Sequence, residues 1–313
     1  MPSNKSIIFK AVPDGYPVAG EHMELVTKEI DIENFSLADE RYSSYEIGQV
    51  LDGYGIAIVV KSNNKKYQVG DYFVGLIGWE EYSHITANVV SAEALAKEIF
   101  TKFKVPESHF IGLLGIPGMS AYVGLNKIGQ PKKAASGAVG QVVGQIAKIK
   151  GLRVIGSASD DSKIKYLEEE LKFDGAFNYK TCNVDKKLKE LCPNGIDIYF
   201  DNVGGETLDI VINHLNNFAR VVACGMISQY NTKDHYGVKN LIQIIGKRVL
   251  IQGFIVSDHF QEMESFRKEM VEWFKQGKLK YKEDIVEGIQ NAPQALINIL
   301  TGKKFGKMIV KIC

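Results

Sequence analysis

The chain has 313 residues, 45% apolar and 24% charged, with a net charge of +1 at pH 7. That balance fits a soluble globular protein of one or two domains and offers no attraction to nucleic acid or an anionic membrane surface. No apolar run approaches the ~20 residues of a membrane span, and Ile7-Ile8-Phe9 is too short for a signal-peptide core.

The four cysteines, Cys182, Cys192, Cys224 and Cys313, have no C-x-x-C spacing. This argues against structural zinc and a disulfide framework and predicts a reducing, cytoplasmic setting. The histidines, His22, His84, His109, His214, His235 and His259, show no ligand spacing, so no metal is expected and most of them read as surface residues.

In chain order, residues 6–12 and 22–28 read as short strands, the second alternating through Met23, Leu25 and Thr27. Residues 45–60 have the glycine-punctuated β character of a barrel-like domain. Residues 69–74 form a turn into a strand, which 79–82 are expected to continue. Residues 106–110 are a polar break and a candidate domain boundary. From Leu113 the pattern changes. Strands at 153–157, 175–178, 197–201, 220–224 and 249–255 alternate with helical stretches such as 163–170 and 208–215, which argues for a parallel sheet with crossover helices. Residues 260–276 read as an amphipathic helix with Met263, Phe266, Met270, Val271 and Phe274 on one side. After Gly277 a strand, a helix and a last strand follow.

The chemistry is concentrated at 134–148. Ala135, Gly137 and Gly140 stand at the three positions of a G-x-G-x-x-G turn, with alanine first. Gly137 would let the backbone approach a pyrophosphate, and Gly140 and Gly144 would let the following helix lie close to a sheet. The helix start, with Ala138 and Val139 beside Gly140, would offer free N–H groups to phosphate. A second strand about twenty residues on is where a Rossmann unit meets the adenosine ribose.

Leu114-Gly-Ile-Pro-Gly-Met-Ser-Ala-Tyr-Val-Gly-Leu125, Ala135 to Gly144, Phe177-Asn-Tyr-Lys180, Tyr199-Phe-Asp-Asn-Val-Gly-Gly205, Gly225-Met-Ile-Ser-Gln-Tyr-Asn231, Gln252-Gly-Phe-Ile-Val-Ser-Asp258 and Gly306-Lys-Met-Ile-Val310 together resemble one family. It is the zinc-independent medium-chain dehydrogenase/reductases, in the branch of prostaglandin reductases, leukotriene B4 12-hydroxydehydrogenase and alkenal double-bond reductases. The resemblance implies an α/β chain with a Rossmann-type parallel-sheet domain over 112–276. It also implies a partly β, GroES-like substrate domain formed by 1–111 with 277–313. Two places depart from the family. The residues before Ala134, Lys127-Ile-Gly-Gln-Pro-Lys-Lys133, are not those of a buried central strand, where the family has several more residues. Near 36–42 the family's Asp-Pro-Tyr-Met-Arg segment has no counterpart. Losing a central strand should unfold the sheet, which favours residues omitted from this sequence over a true deletion.

The resemblance places a cofactor against Ala135, Gly137, Ala138, Val139, Gly140, Lys163, Tyr179, Asn202, Cys224, Ile227, Ser228, Tyr230, Phe254, Ile255 and Val256. Tyr230 would be the catalytic residue, holding a developing enolate. Lys163 pairs with a 2′-phosphate in that reading, and Ser157 in place of an acid also favours NADP. Asp160 opposes it by repelling the phosphate. Tyr179 would sit near the adenine or its ribose. Read from the residues alone, Cys224 is an inert buried strand residue, and Phe254, Ile255 and Val256 are equally readable as plain core. The family has an asparagine before its final Gly-Lys; this chain has Lys304, which puts that contact in doubt.

The resemblance thus implies NADPH-dependent reduction of the C=C bond of small-molecule α,β-unsaturated aldehydes or ketones, of the 2-alkenal or 15-oxoprostaglandin type, by a cytoplasmic homodimer. Two alternatives stand beside it: a quinone reductase of the same superfamily, and a binding protein without cofactor.

Overall fold

The computed structural model describes residues 2–32, 45–85, 93–95, 103–130, 134–135 and 138–312. The chain divides into two compact units, Met1–Gly112 with Glu283–Cys313, and Leu113–Lys282.

The first unit begins as antiparallel β-structure. β1 (Ser3–Phe9) pairs with β2 (Met23–Glu29) from Ser3↔Glu29 to Phe9↔Met23, and β3 (Asp52–Ile58) pairs with β4 (Tyr72–Gly78), which also carries β5 (Glu93–Leu95). Alternation turns Ile7 and Met23 inward onto Leu51, Ile289 and Ala292. The strand expected to run on through 79–82 stops at Gly78. The chain there swings across to β1, with Ile7 N–H donating to Trp79 O at 2.8 Å and Glu81 N–H to Lys5 O at 3.0 Å. Asn4 holds the swing. Its amide donates to Tyr82 O at 3.0 Å, and its Oδ1 accepts Tyr82 N–H at 3.0 Å. A short helical turn, Glu107–Ile111, closes this part of the chain. It buries His109, against the surface reading of the histidines, and burial holds that imidazole down to about 4. His214 is also largely covered and lies 2.8 Å from Asp185.

The second unit opens with α1 (Ile116–Val123), with a proline in its first turn, and continues as a π-helical stretch, Gly124–Gly129. Of the residues 127–133 that read as unfit for a central strand, 127–129 belong to this helical stretch, and 131–133 lie outside the described residues. Then come β6 (Ala134–Ala135), α2 (Ala138–Ile149), β7 (Val154–Ala158), α3 (Asp161–Lys165), β8 (Gly175–Asn178), α4 (Val184–Leu191), β9 (Ile196–Asp201), α5 (Gly205–His214), β10 (Leu215–Ala223), α6 (Gln243–Lys247), β11 (Leu250–Gly253) and α7 (Met263–Lys275). The helix expected over 163–170 is two pieces, α3 and a π-helical turn Tyr166–Glu170. The strands form two parallel sheets, β6-β7-β8 and β9-β10-β11. Strand, helix, strand repeated with parallel pairing is the crossover pattern of a dinucleotide-binding fold.

Helix packing follows the apolar spacing. α7 buries Met263, Phe266, Met270 and Val271, and also Arg267, whose Nε donates to Leu114 O at 2.9 Å. Ile155, Phe177, Leu188, Leu208, Val211, Ile212, Leu215 and Val221 form the core under β7 to β10. Gly144 of α2 allows a close approach to Phe173 rather than to a strand: a Cβ there would lie 2.0 Å from Phe173 Cζ. Gln141 and Gln145 are buried on α2 and clasp the backbone further along the chain. Lys280 N–H donates to Gln145 Oε1 at 2.7 Å, and Gln145 Nε2 donates back to Lys280 O at 2.8 Å.

The chain then returns to the first unit through β12 (Glu283–Glu287), α8 (Ala292–Leu300) and β13 (Lys307–Lys311), with β12 and β13 parallel.

Candidate active site

In open α/β sheets, ligands are met at the carboxyl ends of the strands. At the end of β9 the chain reads Asp201-Asn202-Val203-Gly204-Gly205. Asp201 is fully buried, and its Oδ1 accepts Val203 N–H at 2.8 Å, Gly204 N–H at 2.9 Å and the Tyr199 hydroxyl at 3.0 Å. Burial pushes this carboxyl up, against those three donors, which pull it down. Gly204 and Gly205 both take positive φ, 69° and 56°, so the turn can enter α5 without a side-chain clash.

The loop after β10 hangs on this turn. Cys224 and Gly225 N–H groups donate to Asp201 O at 2.9 and 3.1 Å, Ile227 N–H to Asn202 O at 3.1 Å, and Ser228 N–H to Val203 O at 3.1 Å. Ser228 Oγ also donates to Val203 O at 2.6 Å. Tyr230 folds back over the loop, where its hydroxyl accepts Met226 N–H at 2.9 Å and its side chain stays largely in solvent, 62% exposed. The structure therefore brings Asn202, Cys224, Ile227, Ser228 and Tyr230 into one cluster. Cys224 is not a strand residue. β10 ends at Ala223, and Cys224 is half-buried just beyond it, its thiol pushed up to about 11 by burial and then by the Asp201 charge.

Phe254 packs beside Phe200 over Gly124, where a Cβ would fall 2.7 Å from the Phe200 ring and 2.9 Å from that of Phe254. Ile255 is 65% exposed and Val256 is half-buried at the start of a short helical turn, so neither of these two is core.

The residues read as the ribose end lie past β7. Lys163 Nζ sits 2.9 Å from Asp160 Oδ2 and donates to Ser159 Oγ at 2.7 Å. Asp160 caps α3 through Lys163 N–H at 3.1 Å and also accepts Ser162 Oγ at 2.6 Å. Partial burial pushes its carboxyl up, but the Ser162 and Lys163 donors outweigh this and hold it near about 2. Tyr179 is exposed one residue past β8, its N–H bonded to Ala158 O at 3.1 Å. At the glycine turn, Ala135 ends β6, Ala138 opens α2, Val139 is half-buried and Gly140 is buried. Gly137 and residues 36–42 lie outside the described residues.

Sequence reasoning missed the Asp201 anchor, although an acid ending a strand before paired glycines was the available signal. It also missed the Asp160–Lys163 pair, readable as i,i+3 on a helix start. Among the described residues, no group of three His, Cys, Asp or Glu is placed to hold a metal ion. A dinucleotide fits the donor set. Asn202 Nδ2 is buried with no protein partner at the strand end, and the 224–230 loop offers the Tyr230 hydroxyl.

Parallel strands joined by crossover helices, with polar side chains gathered at the strand ends, define the class of dinucleotide-binding α/β folds. The zinc-binding dehydrogenase family matches residues 138–276, and the N-terminal domain of oxidoreductase family matches 34–92. The chain is 37% identical to the NADP(+)-dependent 2-alkenal reductase of Nicotiana tabacum, over 99% of this chain and 98% of that protein. It is 40% identical to the (+)-pulegone reductase of Mentha piperita, over 87% of this chain and 80% of that one. CurA from Vibrio vulnificus, solved in complex with NADPH, superposes with a TM-score of 0.87 at 34% identity, covering 99% of both chains. The chain belongs to the zinc-binding dehydrogenase family, the medium-chain dehydrogenase/reductases, with Rossmann-type and GroES-like domains. The alignment with the Nicotiana protein runs over 342 positions against the 313 residues here, so that relative carries residues with no counterpart in this chain.

Proposed function

We propose that this protein reduces the C=C bond of α,β-unsaturated aldehydes and ketones with NADPH. It is an NADP-dependent oxidoreductase. The observation that supports the residue assignment is the loop 224–230 tied along 201–203 at the end of β9, where Asn202 Nδ2 is buried without a protein partner and the Tyr230 hydroxyl is held by Met226 N–H.

NADPH, when bound, would supply the hydride for the substrate β-carbon. What falls to this chain is orientation and charge. Ala135, Ala138, Val139 and Gly140, with Gly137 by its place in the sequence motif, would hold the pyrophosphate at the start of α2. Lys163 and Tyr179 hold the adenosine end. Asn202, Cys224, Ile227, Ser228, Phe254, Ile255 and Val256 frame the nicotinamide end. As the C=C bond is reduced, charge gathers on the carbonyl oxygen, and the Tyr230 hydroxyl donates to it. That hydroxyl already accepts Met226 N–H, which polarises it and leaves its own proton free to donate. Solvent returns a proton to the α-carbon.

The unit Met1–Gly112 with Glu283–Cys313 serves in this reading as the substrate-side domain. The working form is a cytoplasmic homodimer. β11 lies at one end of its sheet, and beside it Ile242 and Ile245 are about 70% exposed, an apolar strip of the kind that a second copy covers. Substrates of 15-oxoprostaglandin type fall within the same chemistry.

The test is turnover of NADPH by a 2-alkenal, a cyclic enone and a quinone at equal concentration. Faster turnover of the enal or enone supports the assignment. Turnover of the quinone alone refutes it in favour of a quinone reductase, and no dinucleotide binding at all refutes both.

A further inference from the structure

Lys163 is the cation at the ribose end of the site, and its ammonium is already engaged. Asp160 Oδ2 stands 2.9 Å away and Ser159 Oγ 2.7 Å away. The acid is fixed from two further sides, by Lys163 N–H at 3.1 Å and Ser162 Oγ at 2.6 Å, so it cannot swing off without uncapping α3. The lysine side chain is 19% exposed and the aspartate 45%, so the acid is the more accessible member of the pair. Its low pKa keeps it charged at any working pH. Asp161, next in the chain, is turned elsewhere and accepts Asn178 Nδ2 at 2.8 Å.

A ribose 2′-phosphate carries close to two negative charges and seeks a lysine or arginine here, whereas a 2′-hydroxyl can donate to a carboxylate. The two cofactors therefore see the same pair with opposite sign. We infer that Asp160 sets the cofactor preference of this protein, by competing with the 2′-phosphate for Lys163 and so weakening its discrimination for NADPH over NADH. The inference rests on the assignment of the ribose end of the site to residues past β7.

The test is binding, read by cofactor fluorescence and by calorimetry with adenosine 2′,5′-bisphosphate, on wild-type protein, Asp160→Asn, Asp160→Ser and Asp161→Asn. Asparagine and serine both keep the helix cap. Releasing one charge-assisted contact is worth about a factor of ten. Both Asp160 variants should therefore bind NADPH and the bisphosphate about tenfold more tightly, with NADH unchanged or weaker and Asp161→Asn like wild type. Adding Lys163→Ala to Asp160→Asn should abolish the gain. Equal changes for NADPH and NADH, no change, or weaker NADPH binding in both Asp160 variants would overturn the inference. Failure of the bisphosphate and of both dinucleotides to bind wild-type protein would instead strike the cofactor site itself, and the inference with it.

Discussion

Tyr230→Phe removes one hydroxyl and leaves the ring. In the structure that hydroxyl accepts Met226 N–H at 2.9 Å, and both residues are exposed, so the released N–H finds water and the loss of stability stays within about 1 kcal/mol. The loop keeps its other anchors, Ile227 N–H to Asn202 O and Ser228 N–H to Val203 O, each 3.1 Å, so the cofactor cradle should survive. The catalytic effect is larger. Losing one oxyanion donor costs on the order of 10²–10³ in kcat. A ribose hydroxyl of bound cofactor would share the charge in this reading, so the expected fall is about 10–10²-fold, or roughly 1.4–2.7 kcal/mol on the barrier. Steady-state kinetics on an enone, with NADPH affinity measured separately by fluorescence, separates the roles. The fall should appear in kcat with affinity little changed, because the donor matters more as charge develops. A variant with wild-type kcat removes Tyr230 from the mechanism, and a collapse of NADPH affinity makes it a cofactor-positioning residue.

Lys163→Ala should lower the NADPH-to-NADH preference about tenfold or more, the worth of one charge-assisted pair; an unchanged ratio in binding titrations would withdraw Lys163 from phosphate recognition. Gly144→Ala forces a Cβ to within 2.0 Å of the Phe173 ring, which is buried, and should destabilise by about 1–3 kcal/mol in denaturant unfolding. Gly246→Ala, with nothing within 4 Å, should be neutral or gain up to about 1 kcal/mol, and equal effects at the two sites would show the packing argument wrong. The Cys224 thiol, raised to about 11, stays protonated at neutral pH and titrates only as pH climbs toward that value. Mass-mapped alkylation at pH 8 should therefore spare it in folded protein and reach it in denaturant, whereas rapid labelling of the folded state would contradict the burial assigned to it.

Much of this was legible in the residues because it depends on local pattern. The apolar stripe of α7 follows from periodicity, the strand at 175–178 and the strand end that carries Asn202 follow from the alternation of strand and helix, and the 224–230 loop is legible only through the family resemblance. What stayed hidden depends on pairs distant in sequence. Trp79 to Tyr82 has strand composition, yet Asn4, far back in the chain, clasps Tyr82 and turns the segment onto β1. Gly144 announces a close approach but not that its neighbour is the Phe173 ring. Asp160 was visible as an acid near a lysine; read as a repeller of phosphate, it lacked the second fact, a 2.9 Å bond to the very cation that the phosphate needs. Tyr230 was found through its motif, while its bond to Met226 N–H requires a loop geometry that no spacing rule supplies.

The central claim is that hydride goes to the β-carbon of the C=C bond rather than to the carbonyl carbon or to a quinone. Stereospecifically deuterated [4-²H]NADPH, prepared in both configurations, with a 2-alkenal and the purified protein, puts it to the test by NMR of the product. One of the two cofactors should yield a saturated aldehyde with deuterium on the former β-carbon. Deuterium on the carbonyl carbon of an allylic alcohol would contradict the claim.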